Sequence, residues 1–267
     1  MSTADKLLAN PGALTNMVRR VALEAGAIIL KYYDEGHGEV FSKSDNTPVT
    51  KADREAEILI EKKLAEILPG VPFVGEEASS EGRIPDTSNA EYFWLVDPLD
   101  GTQDFIAGTE DFTVNIGLIK NGAPFLGVIY APARGEVYAG HTDKAVRWTE
   151  NNNNEKEIRI RSAPRGGITV VTSKGKKYDP ELEKYLGEFK VEKVLRYGSS
   201  LKICAVASGK ADMYPRFGRT GEWDTAAGDA ILRAAGGRLE TFDEKPLVYG
   251  VGDGSFINPP FVALGDI

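Results

Sequence analysis

Trp94-Leu95-Val96-Asp97-Pro98-Leu99-Asp100-Gly101-Thr102 is the stretch around which the chain is organised. An apolar run leads straight into two carboxylates three positions apart, with Pro98 and Gly101 shaping the backbone and Thr102 following at once. The pattern reads as a strand over 92–97 that ends in a loop. Hard divalent cations such as Mg²⁺ take oxygen ligands. This loop offers carboxylates, a backbone carbonyl and a hydroxyl in one small volume, which points to a metal site acting on phosphate.

Three further acidic positions stand beside predicted elements. Asp53 lies in Pro48-Val49-Thr50-Lys51-Ala52-Asp53, Glu76 in Val74-Gly75-Glu76-Glu77, and Asp224 in Glu222-Trp223-Asp224-Thr225-Ala226-Ala227-Gly228-Asp229. Each has a simpler explanation. Asp53 and Asp224 suit helix starts, Glu76 and Glu77 suit a solvated surface, and Asp-Pro and Asp-Gly both favour turns. Each simpler explanation accounts for one residue and leaves their shared placement, flanked by Gly, Pro and Trp, unexplained.

Spacing narrows the chemistry. An EF-hand loop alternates its oxygen ligands and closes on a glutamate, whereas Pro98 and Leu99 separate the acids here. Zinc is disfavoured in a chain with one cysteine and two histidines, His37 and His141. No Gly-x-x-x-x-Gly-Lys-Ser/Thr stretch occurs, so there is no P-loop.

The 267 residues suffice for a large core and one or two domains. With 42% hydrophobic and 27% charged residues, the composition is that of a globular protein. A net charge of -8 argues against a nucleic-acid polymer as partner. Cys204 alone cannot form an internal disulfide and fits a reducing cytoplasm. The N-terminus lacks the order of a signal peptide, and no apolar run reaches membrane-spanning length, so no integral membrane association is expected.

Helical spacing of Val18, Val21, Ala22, Ala25, Ile28, Ile29 and Tyr32 predicts a helix over 13–33, and a second is predicted over 50–68. Short strands are predicted at 72–75 and 92–97. Segments 113–120, 124–131 and 136–140 read as an antiparallel meander, with Asn121-Gly122 turning between the first two. Asn151 to Asn154 suit a hairpin tip or surface loop. Beyond them, strands near 158–160, 168–172 and 191–196 alternate with helices near 180–187, 200–209 and 224–235. The reading is an α+β lobe over residues 1–155 carrying most of the acidic positions, and an α/β lobe over 156–267 carrying Asp224, with a tight interface between them.

Gly75-Glu76-Glu77, Asp97-Pro98-Leu99-Asp100-Gly101-Thr102 and Trp223-Asp224-x-x-Ala227-Gly228 together resemble the signatures of the lithium-sensitive, magnesium-dependent inositol monophosphatase superfamily. Asp45-Asn46-Thr47-Pro48-Val49-Thr50, Phe112-Thr113-Val114-Asn115-Ile116, Gly198-Ser199-Ser200-Leu201-Lys202, Tyr214-Pro215-Arg216-Phe217-Gly218 and Phe256-Ile257-Asn258-Pro259 resemble its CysQ-type 3'(2'),5'-bisphosphate nucleotidases, so the likeness runs from about residue 40 to 261. The resemblance implies a layered αβαβα sugar-phosphatase sandwich. It implies a small nucleotide bisphosphate as substrate and removal of the 3'-phosphate of adenosine 3',5'-bisphosphate to give AMP. An inositol or sugar monophosphatase on the same fold is the alternative.

The resemblance also implies roles. Glu76, Asp97 and the Leu99 carbonyl would hold one Mg²⁺. Asp97, Asp100 and Asp224 would hold a second, and Asp53 would sit near a third or behind the ligands. Glu76 and Thr102 would orient and activate the attacking water, and Gly101 and Thr102 would receive the phosphate; beside these implied roles, the chemistry of a hydroxyl near a carboxylate suggests that Thr102 passes its proton toward Glu76. Substrate contacts would come from Glu76, Leu99, Asp100, Gly101, Thr102 and Asp224 together with Ser199, Ser200, Lys202 and Arg216. A cytoplasmic enzyme, with peripheral association at the inner membrane, is what the family suggests. One departure stands out: Thr172-Ser173-Lys174-Gly175-Lys176-Lys177 replaces the Ser-Arg-Ser-His pattern of bacterial relatives.

Overall fold

A computed structural model of the chain describes residues 2–36, 40–42, 48–150, 153–174, 180–251 and 254–267. Positions 37–38, 45–47, 151–152 and 175–177 of the motifs above lie outside the described residues. The first half runs α1 (Thr3–Leu8), α2 (Pro11–Asp34), the hairpin β1 (Val40–Ser42) and β2 (Pro48–Thr50), α3 (Lys51–Ile67), β3 (Phe73–Gly75), α4 (Glu76–Ser80), β4 (Tyr92–Asp100) and α5 (Thr102–Ile106). The meander follows as β5 (Thr113–Lys120), β6 (Ala123–Ala131), β7 (Glu136–His141), β8 (Lys144–Thr149) and β9 (Asn154–Glu157). The rest comprises β10 (Ile168–Ser173), α6 (Pro180–Leu186), β11 (Val191–Tyr197), α7 (Leu201–Ala207), β12 (Met213–Arg216), α8 (Glu222–Ala234), β13 (Arg238–Thr241) and β14 (Phe261–Leu264).

Strands β3 to β9 form a seven-stranded sheet in chain order, and the other five long-range strands form a second sheet in the order β11-β10-β12-β14-β13. Side-chain alternation assigns their faces. In β4, Trp94 and Val96 face the core under α2 and α3, while Phe93 and Leu95 face α7 and α8. In β14, Phe261 and Ala263 face α7 and α8, while Val262 and Leu264 face α6. The layers are therefore helix, sheet, helix, sheet, helix, the sandwich expected from the sequence.

The middle layer sits close to the first sheet for a local reason. Gly117, Gly127 and Gly140 stand opposite one another across β5, β6 and β7. A Cβ on Gly127 would lie 2.2 Å from the Ala227 carbonyl oxygen, and one on Gly140 would lie 2.6 Å from the Ile231 Cα. The row of glycines is a groove into which α8 settles. Its alanines bring backbone against backbone.

Two expectations change. Residues 158–160 do not form a strand. Ile158 donates to the Ala145 carbonyl at 2.9 Å and Ile160 to the Ala235 carbonyl at 3.1 Å, so the chain leaves the first sheet and runs to the end of α8. The short strand lies just before, at β9. The loop predicted after residue 97 is also not a loop: β4 stays paired with β5 through Asp100. At Asn121-Gly122 the turn is as read, with φ of 49° and 77° at the two positions.

Candidate active site

Asp97 pairs across the sheet with Asn115, and Asp100 with Thr113, so three steps along β4 match two along β5. In a regular strand residues three apart face opposite sides. The bulge at Pro98-Leu99 restores Asp100 to the face of Asp97. The Asp97 carboxylate accepts the Leu99 N–H at 2.9 Å, which holds the bulge. Leu99 buries its side chain among the residues under α3 and contributes only backbone to the other side. Gly101 follows with φ of 92°, and a Cβ there would meet the Asp111 carbonyl at 2.8 Å, so glycine is required where α5 begins.

Strand β3 runs parallel to β4 with Gly75 opposite Val96, so the chain emerges from both strands at the same end. Glu76 therefore opens α4 beside Asp97. Asp224 arrives from the middle layer, near the start of α8, where its carboxylate accepts the Gly221 N–H at 3.0 Å. Carboxylate oxygens of Glu76, Asp97 and Asp224 all lie within 4.8 Å of one another. With Asp100 they floor a cleft of about 570 Å³ whose lining also includes Gly101, Thr102, Ser199, Ser200, Lys202 and Arg216.

The floor crowds buried and half-buried carboxylates together. Burial, then the neighbouring Asp100 and Glu76 carboxylates, push the Asp224 carboxyl well above the usual range. Burial also raises Asp100, with the Lys202 ammonium opposing the shift and Glu76 adding to it. An all-oxygen cluster whose members hinder one another's ionisation fits hard divalent cations.

Asp53 is buried below the floor. One of its oxygens accepts from both the Thr50 N–H (2.8 Å) and the Thr50 hydroxyl (2.6 Å), capping α3. The other accepts from the Thr102 hydroxyl at 3.3 Å, which also lies 3.1 Å from the Leu99 carbonyl. Asp53 is thus both a helix cap and a partner of the site. The Thr102 hydroxyl therefore has the Leu99 carbonyl and Asp53 as acceptors within reach.

The wall opposite is cationic. Lys202 is buried on α7, donates to the Ser199 carbonyl and lies 5.5 Å from the Tyr214 ring centre. Burial pushes its ammonium down to about 8 against the pull of Asp100. Arg216 is fixed by bonds to the Gly218 carbonyl (3.1 Å), the Ser173 hydroxyl (3.2 Å) and the Arg219 carbonyl (3.2 Å). Among the described residues no carboxylate forms an ion pair with it. Ser199 holds a left-handed backbone with φ of 45°. Ser200 turns its hydroxyl inward to Asn115, and offers its N–H to Asp100. Lys174, on the divergent segment, pairs with Asp104 and Asp111 at the rim.

The inositol monophosphatase family model matches residues 11–261. The chain belongs to the inositol monophosphatase family. It is 41% identical over 249 residues to the 3'(2'),5'-bisphosphate nucleotidase CysQ of Escherichia coli strain K12, covering 93% of this chain and 98% of that one. The CysQ of Buchnera aphidicola is 40% identical over 253 residues, covering 94% and 93%. Among solved structures, CysQ from Bacteroides thetaiotaomicron superposes with a TM-score of 0.80 at 35% identity, over 96% of this chain and 98% of that one. An inositol monophosphatase from Anabaena superposes with a TM-score of 0.73 at 26% identity, over 97% and 93%. Within the family the likeness in sequence thus runs to the CysQ relatives.

Several residues around this inositol monophosphatase-family cleft are not singled out by the sequence patterns. Glu57 on α3 accepts the N–H groups of Glu77 (2.8 Å) and Ala78 (2.7 Å), anchoring the turn that carries Glu76. Burial pushes its carboxyl up to about 7 against those hydrogen bonds. A carboxylate on the apolar stripe of Ala56, Ile60 and Leu64 is the signal that could have found it. Asp111 accepts the Gly198 N–H at 2.9 Å and pairs with Arg134 and Lys174. Asn115, a lone amide inside an apolar strand, is an equally visible signal. Cys204 is buried in the middle core with its thiol pushed up by burial, as expected of a packing residue. No helix among the described residues is long and apolar enough to cross a membrane.

Proposed function

We propose that this protein is a Mg²⁺-dependent phosphatase that hydrolyses the 3'-phosphate of adenosine 3',5'-bisphosphate to AMP and phosphate by direct attack of water. The observation that carries the reading is the convergence of Glu76, Asp97 and Asp224 from three separate elements on one floor, facing a wall with Lys202 and Arg216. The similarity to CysQ relatives supports the substrate class.

Glu76, Asp97 and the Leu99 carbonyl would hold one Mg²⁺, and Asp97, Asp100 and Asp224 a second, with Asp53 behind them or near a third. Ions bound there supply charge for the phosphoryl oxygens and a more acidic water. The protein's own part is alignment and proton transfer. The Thr102 hydroxyl accepts the proton of the attacking water on its oxygen and passes its own to the Asp53 oxygen it faces, along the contact present at 3.3 Å. Glu76 orients the water from the other side. Gly101 and Thr102, where the chain turns into α5, receive the departing phosphate. Arg216 offers its remaining N–H donors, and Lys202 its ammonium, to the phosphate that is not cleaved; a guanidinium fork suits paired phosphate oxygens.

A phosphate-release panel with Mg²⁺ tests this. Adenosine 3',5'-bisphosphate is expected to be the preferred substrate, and a chelator is expected to abolish turnover. Faster hydrolysis of inositol monophosphate would replace the nucleotide reading with that of a monophosphatase. With a chiral, isotopically labelled phosphate the expected outcome is inversion; net retention would require a phosphoenzyme.

A further inference from the structure

The two faces of β5 differ in a way that packing does not require. Val114, Ile116 and Leu118 fill the core under α2 and α3. On the other face, the cleft end carries Thr113 and Asn115, both with no exposed surface. Burying a hydroxyl and an amide is unfavourable unless their polar atoms are bonded, and here they bond to one another and to the site. Asn115 stands opposite Asp97 in the sheet register and Thr113 opposite Asp100.

The hydrogen bonds define which way the amide points. Ser200 donates its hydroxyl to the Asn115 Oδ1 at 2.8 Å, and the Thr113 hydroxyl lies 3.0 Å from the same oxygen and 2.8 Å from the Ser200 hydroxyl. With Oδ1 held by hydroxyls, the Asn115 Nδ2 faces Asp100 Oδ2 at 3.4 Å. An ionised carboxylate only accepts, so this is the orientation in which every partner is matched. Asp100 and Asn115 belong to the first sheet, whereas Ser200 stands at the start of α7 in the middle layer. The knot therefore closes across the seam on which the cleft is built.

We infer that Asn115, oriented by Thr113 and Ser200, is a positioning residue that aims the Asp100 carboxylate into the cation site and couples that aim to the docking of α7 on the first sheet. The inference rests on Asp100 being a cation ligand, as proposed above. Asn115 itself touches neither substrate nor the reacting atoms.

Calorimetric titration of Mg²⁺ into the wild type, Asn115→Ala, Asp100→Asn and the double variant tests it. Asn115→Ala is expected to weaken Mg²⁺ binding about tenfold, the scale of losing a group that orients a ligand, and to have no further effect once Asp100 is already asparagine. At saturating Mg²⁺ the KM for adenosine 3',5'-bisphosphate is expected to stay within about twofold, because the amide bonds to a cation ligand and not to substrate. Thr113→Val keeps the volume and the amide but loosens its orientation, and is expected to give a smaller loss with the same dependence on Asp100. That second cycle decides the matter if Asn115→Ala does not fold. Losses that add in the double variants, or wild-type Mg²⁺ binding in both Asn115→Ala and Thr113→Val, overturn the role of Asn115 alone. Wild-type binding in Asp100→Asn overturns the role of Asp100 as ligand, and this inference with it.

Discussion

The acidic floor and the cationic wall of the cleft are built by different means. Three of the site's acids are held by residues close by in the chain, Asp97 by the Leu99 N–H, Asp224 by the Gly221 N–H and Asp53 by Thr50, whereas Asp100 is held across the seam by Asn115 and Ser200. On the wall, Lys202 is held by Ser199 three residues before it, but the other cations lean partly on groups distant in the chain. Arg216 reaches Ser173 as well as its near neighbours, and Lys174 reaches back to Asp104 and Asp111. A carboxylate fixed within two or three residues leaves a compact motif in the sequence. A cation fixed from far away leaves an isolated Lys or Arg that resembles any solvated one.

The contrast makes predictions that differ in size. Asp224→Asn removes a floor residue that would hold the second proposed ion, so Mg²⁺ affinity and turnover are expected to fall by about tenfold to a hundredfold, the range for disturbing a metal's supports. Titration calorimetry and phosphate release read both. Wild-type values would detach Asp224 from the floor. Gly127→Ala touches no cleft residue but places a methyl group against the Ala227 carbonyl. It is expected to cost about 1–3 kcal/mol of stability, the usual range for overpacking, together with a smaller loss of Mg²⁺ affinity as α8 shifts. Urea unfolding measures the first. An unchanged stability would mean that the glycine groove is not what seats α8. Arg216→Ala should act on the wall alone. KM for the bisphosphate is expected to rise about tenfold, consistent with losing a hydrogen bond to a charged group, while a small monophosphate is hydrolysed as before. Equal losses on both substrates would place Arg216 outside substrate recognition.

Much of the fold is legible in pattern. The buried stripe of α2, the Thr50–Asp53 cap of α3 and the Asn121-Gly122 hairpin all follow from side chains interacting within a few residues. Beyond these, pattern does not separate β12 and β14 as strands, and it suggests a strand at 158–160 where there is none. Met213-Tyr214-Pro215-Arg216 is short, and its pairing with Phe261–Leu264 joins segments distant in sequence. Ile158 and Ile160 are apolar because they pack against the middle core, which alternation alone does not distinguish from a strand.

The site divides in the same way. Its residue types are written in the amino-acid sequence: oxygen donors in Asp97-to-Thr102, Glu76 and Asp224, and a glycine at the left-handed turn into α5. Those features are local, since a bulge, a cap and a left-handed turn depend on residues within reach along the chain. How they combine is a matter of tertiary packing. The parallel register of β3 and β4 sets Glu76 beside Asp97, and the glycine row lets α8 approach closely enough to bring in Asp224. The docking of the layers also turns Asn115 and Ser200 toward each other and lays the Thr102 hydroxyl against Asp53. Hydrogen bonds and carboxylate repulsion act over a few ångströms, and which groups come that close is settled by packing the layers, not by their order in the chain.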